Sequence, residues 1–111
     1  MSPPLTPLVL AVIERDFPAA DADLIGAILL DGCGDDLPLV PGPDEIERIR
    51  LAVLKLAEGD VHVLPDHIGM ARVAWGDVVA AAGFAHDIGA HLAWAAEEAK
   101  PNPNGKTGSG R

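Results

Sequence analysis

Hydrophobic and polar positions alternate with a helical period along most of this chain, most clearly between Pro43 and Gly59. In PDEIERIRLAVLKLAEG, residues Ile46, Ile49, Val53, Leu56 and Ala57 fall on one stripe at about 100° per residue. Pro43 suits the first helical position, and Asp44, Glu45 and Glu47 set negative charge at the positive end of the helix dipole. Gly59 supplies a left-handed stop. Leu51 leaves the stripe, projecting about 140° from Ile46 among Glu47, Arg48, Lys55 and Glu58. The helix is thus expected to anchor the core, with Leu51 as an apolar point on its charged face.

The same reading predicts a first helix over Pro7 to Asp16. Thr6 is its N-cap, Leu8, Val9, Val12 and Ile13 form its apolar side, and Pro18 blocks continuation. A second helix starts near Asp21 or Asp23, runs through Leu24, Ile25, Ile28 and Leu29, and stops at Gly32-Cys33-Gly34. Three prolines and a glycine make Asp35 to Pro43 an extended connection. Val61 to Leu64 has strand-like composition but no partner strand, so a helix that starts late or is distorted near Pro65 is expected there. Trp75 to Ala82 reads as a short helix with Trp75, Val78 and Val79 inward and Gly83 past its end. A last helix spans about His86 to Ala99 and presents Ile88, Leu92 and Ala95/Ala96 on its inner side.

These elements predict an all-α, single-domain bundle of five or six short helices over residues 1–99, irregular near Pro65. A disordered tail is expected over 100–111, which has no large apolar residue. The chain of 111 residues is 49% hydrophobic, enough for a core, but its aromatics are Phe17, Trp75, Phe84 and Trp94, so that core must be aliphatic.

Charge narrows the partners. The formal net charge is −9, and the seventeen acids all lie between residues 14 and 98, where five bases accompany them. Such a body repels phosphate backbones and anionic lipid, which disfavours nucleic acid and membrane surfaces. It attracts basic proteins or cations. Cys33 is the single cysteine, so the chain has no internal disulfide. No run approaches eighteen apolar residues, and Leu8–Ile13 is too short for a signal segment, so a cytoplasmic location is expected.

The chain carries no catalytic motif. HExxH, CxxC and acidic calcium loops are absent, and the GKT string in the tail lacks the strand and helix of a phosphate loop. Between Thr6 and Thr107 there is neither serine nor threonine, and tyrosine is absent. Cys33 is accessible in principle between two glycines, but a preceding helix C-terminus would raise its pKa; a small apolar turn residue is the simpler role. Paired carboxylates such as Asp35/Asp36, Asp44/Glu45 and Glu97/Glu98 fit loops, helix starts or solvated faces. Asp77, between Trp75 and Val78, is the acid to watch for an apolar environment. His62, Asp66, His67, Asp87 and His91 are the metal-ligand candidates, because His62/Asp66 and Asp87/His91 stand four apart, on one helix face. The His pairs five apart diverge by about 140° on a regular helix.

Two stretches, ERIRLAVLKLAEGD (Glu47–Asp60) and WGDVVAAAGF (Trp75–Phe84), resemble short bacterial all-helical proteins without an assigned activity. In that pattern, roughly ERIQLAVLKLAxGD precedes a W/Y-R-D-V-L helix. The resemblance spans about a quarter of the chain, and this sequence departs from it at Pro65 and Gly76. It implies a bacterial source and a helical fold, with no catalytic residues to carry over.

The leading expectation is therefore a non-catalytic protein–protein interaction module that needs no cofactor and meets a partner protein or a second copy of itself. Its partner surface is expected at Leu51 and at Trp94, which lies about 120° from Ile88 on the last helix. The alternative is a metal-dependent or small-molecule-binding protein built on the His/Asp set.

Overall fold

A computed structural model of the chain describes residues 4–34, 37–38, 41–85 and 89–97. They form five α-helices and a single 3-10 turn, with no strand among them. The helices are α1 (Pro7–Asp16), α2 (Ala22–Gly32), α3 (Pro43–Ala57), α4 (Leu64–Ala81) and α5 (Ala90–Ala96), and the 3-10 turn Ala19–Asp21 links α1 to α2. The tail beyond residue 97 and the predicted start of the last helix at His86 lie outside the described residues.

Local chemistry sets most boundaries. The Thr6 hydroxyl accepts from the Val9 N–H at 3.3 Å, Pro7 opens α1, and Phe17 turns extended ahead of Pro18. The α3 helix opens on Pro43 and ends in two left-handed residues, Glu58 (φ 52°) and Gly59 (φ 80°). Gly59 is also required by space, because a Cβ there would fall 2.8 Å from the Asp16 carbonyl oxygen at the end of α1. At the end of α4, Phe84 N–H reaches the Val79 carbonyl and Gly83 N–H the Ala80 carbonyl, both at 3.0 Å. That bond pair is a Schellman stop, with Gly83 at φ 84°.

The segment before Pro65 is a series of turns, and α4 starts late, with Pro65 in its first turn. Two helical segments meet within α4, as the separate short helix expected from Trp75 implied. Ala74 carries the break between its halves, with non-helical φ −154° and ψ 75°. Neither proline nor a glycine pair explains it, since Ala is the strongest helix former. Next to the break, Trp75 Nε1–H donates to the Pro38 carbonyl at 2.6 Å, tethering α4 to the α2–α3 connection.

The core is aliphatic and continuous, joining Val9, Val12, Ile13, Ile25, Leu29, Leu54, Leu64 and Val78. The α3 helix runs through its middle and touches α1, α4 and α5. Ile49 to Leu54 are consequently buried without interruption, charged Arg50 included. Leu92, expected on the inner side of the last helix, is exposed instead, and so is Leu24 on α2.

Candidate functional site

Of the two residues expected at a partner surface, Leu51 is not available to a partner. Leu51 is fully buried (0% exposed), because α3 is enclosed by several helices and has no solvated face at that level. Trp94 on α5 is half-buried, its ring 5.9 Å from the Phe84 ring and 4.7 Å from the Arg15 guanidinium carbon.

The metal candidates are similarly dispersed. His62 and Asp66 are exposed around the start of α4, His67 is half-buried on α4, and His91 is buried on α5. Asp87 lies outside the described residues. Among the described residues no three His, Cys, Asp or Glu side chains gather as a metal centre would require. His91 borders a cavity of about 330 Å³ with Asp44, Glu45, Glu47, Arg48 and Leu92. Its Nδ1 is itself sealed from solvent and has no hydrogen-bond partner. Burial, and then the Arg48 charge, hold its pKa below the ordinary value, while Glu47, Glu45 and Asp44 act in the opposite direction.

Nucleophilic chemistry finds no better footing. Cys33 is fully buried at the end of α2, and its pKa is pushed up to about 11 by burial, against smaller opposing effects of Arg50 and Arg72. The accessibility its glycine neighbours suggested is absent. Asp77 is exposed, which removes the apolar setting that an acid–base role would need.

What the structure does organise is its positive charge. Arg15 on α1 sends Nη1–H to the carbonyls of Trp94 (3.0 Å) and Glu97 (2.7 Å), closing the C-terminal end of α5. Lys55 on α3 does the same for α4, donating to the Ala82 carbonyl at 2.7 Å with its ammonium 5.0 Å from the Phe84 ring centroid. Buried Arg50 donates to the carbonyls of Cys33 (2.8 Å) and Pro4 (3.2 Å), and Arg72 reaches the Gly32 carbonyl at 3.4 Å. Arg48 pairs with Glu45 on its own helix. Four of the five bases in the body thus donate to backbone carbonyls, and for Arg15, Lys55 and Arg72 these lie at the negative end of another helix. Carboxylates such as Glu14, Asp23, Asp44, Glu58, Asp66 and Asp77 remain exposed.

Large apolar side chains are exposed on α1, α2 and α5 (Leu10, Leu24, Leu30 and Leu92) as well as on α4, and the two most exposed stand on the outer side of α4. Val73 is 81% exposed and Met70 57% exposed. Below the Ala74 break the helix is regular, so Asp66, Met70 and Val73 lie within about 60° of one another. Immediately past Val73 the break opens a cleft of about 380 Å³ lined by Pro38, Val73, Ala74, Trp75, Gly76 and Asp77. The helical spacing of Asp66, Met70 and Val73 was readable in the sequence; that this side faces solvent was not.

No family model matches the chain, and no curated protein and no solved structure matches it either. None of the described helices is long and apolar enough to cross a membrane.

Proposed function

We propose that this chain is a small, acidic, non-catalytic module of the bacterial cytoplasm that binds a basic partner protein. The observation that supports it is the placing of the cations: Arg15, Arg50 and Lys55 are buried or half-buried and donate to backbone carbonyls, while carboxylates stay at the surface. The net charge of −9, with its carboxylates at the surface, steers positively charged proteins towards the molecule. The buried thiol and the exposed setting of Asp77 agree with a binding role over a catalytic one. The likeness of Glu47–Asp60 and Trp75–Phe84 to bacterial helical proteins underlies the bacterial assignment.

Affinity capture with the immobilised protein, followed by reconstitution with the purified partner, tests this reading. The expected result is a stoichiometric complex with a basic protein that dissociates as salt rises from about 50 mM to about 500 mM. A reconstituted partner that is itself acidic, or a complex indifferent to salt, contradicts it.

A further inference from the structure

We infer that the outer face of α4 is the docking surface for an amphipathic helix of the partner, one with lysine or arginine beside its apolar stripe. This inference rests on the reading of a basic partner and adds where that partner sits. Three features meet on one side of one helix. Val73 and Met70 are the two most exposed large apolar side chains among the described residues. The break at Ala74 places a concavity of about 380 Å³ directly beside Val73, with Pro38 and Trp75 as apolar walls. Asp66 lies on the Met70–Val73 face, and Asp77 lines the far side of the cleft, so carboxylates stand at both ends of the apolar stretch.

The cleft has room for an apolar side chain, and an apolar anchor in such a pocket is how a helix-in-groove contact gains its affinity. The two carboxylates are eleven positions apart on α4, one on each side of the Ala74 break. Arg72, the nearby base, reaches the Gly32 carbonyl on α2 and lies about 100° or more from Val73 and Met70 around the helix.

Charge also selects between occupants. A second copy of this chain would bring the same two carboxylates to the same face, setting like charges against each other in a two-fold contact. A basic amphipathic helix meets them with opposite charge. The face is therefore suited to a different, basic protein.

The test uses the full chain and a labelled synthetic amphipathic peptide of leucine, alanine and lysine, alongside a matched peptide with glutamate in place of lysine. Fluorescence anisotropy is measured for the wild type, for Met70→Gln with Val73→Gln, and for Asp66→Asn with Asp77→Asn; thermal melts confirm that each variant folds. The lysine peptide is expected to bind the wild type, the glutamate peptide is not, and each double variant is expected to weaken binding by about tenfold or more. Equal binding to wild type and both double variants overturns the α4 face but leaves the basic-partner reading in place. No binding of the lysine peptide to the wild type removes both. A dimer in light scattering that the glutamine variant dissociates also overturns the inference, since the occupant is then a second copy.

Discussion

Arg15 and Trp94 hold α1 and α5 together through a single guanidinium that makes two kinds of contact. Nη1–H donates to the Trp94 carbonyl at 3.0 Å, and the guanidinium carbon lies 4.7 Å from the centroid of the Trp94 ring. Asp16 fixes the guanidinium from the other side, through Nε at 2.8 Å and Nη2 at 2.9 Å. The hydrogen bond to Asp16, with coulombic help from Asp16 and Glu97, raises the Arg15 pKa against the effect of burial. A seven-residue helix is too short to persist alone, so its order depends on this attachment.

Replacing Arg15 with alanine is expected to cost about 1.5–3 kcal/mol, the range for a hydrogen bond to a charged group in a partly buried position. Arg15→Lys should recover less than half of that, because an ammonium cannot hold the Asp16 fork and the α5 carbonyls together. Hydrogen exchange should localise the loss to residues 90–97, with a red shift of Trp94 emission. Uniform loss across all helices would show that α5 is held by something else.

Leu51 now makes a stability prediction. As a buried α3 residue, Leu51→Ala should destabilise by about 2–5 kcal/mol in chemical denaturation. A change within about 0.5 kcal/mol is what a surface leucine would give, and it would restore the partner-surface reading.

The two left-handed residues ending α3 should respond in opposite directions. Glu58 is exposed and has φ 52°, so Glu58→Gly should stabilise by up to about 1 kcal/mol by relieving Cβ strain. Gly59→Ala meets both φ 80° and the Asp16 carbonyl, and should destabilise by more than about 1 kcal/mol. Melting temperatures of the two variants moving the same way would contradict the geometry of this turn.

His91 should contribute pH dependence of a defined sign. Its folded pKa lies below the ordinary 6.5, so the unfolded chain binds the proton more readily and acid favours unfolding. Its contribution is complete above about pH 6.5 and declines as pH falls towards the folded value. His91→Leu, which also removes a buried nitrogen without a partner, should flatten the fall in melting temperature between about pH 7 and about pH 5. An unchanged slope would assign that dependence to other groups.

Much of the fold was legible because its signals are local. Thr6 and Pro7, Pro43, and Gly83 mark helix ends through their own backbone chemistry, and the structure places those ends there. Leu51 was misread for a geometric reason: a helical wheel assigns one buried face, whereas a central helix is covered on several. A boundary ahead of Trp75 was legible, but not what holds it: Ala74 favours helix, and the Trp75 tether comes from distant Pro38. Arg15 and Lys55 have the look of solvated charges, and their carbonyl partners stand 79 and 27 residues away. For the candidate surface, Met70 and Val73 followed a helical spacing that ordinarily signals core. Only the arrangement of the other helices leaves that side of α4 uncovered.

Whether the carboxylates around the outer face of α4 receive a basic amphipathic helix is decided by a heteronuclear NMR titration of the full chain with the lysine-bearing peptide. Saturable shift changes are expected, centred on residues 66–77 and including the Trp75 indole N–H, that disappear at high salt. Shift changes centred on another helix, or changes at 66–77 that salt leaves intact, would contradict that docking.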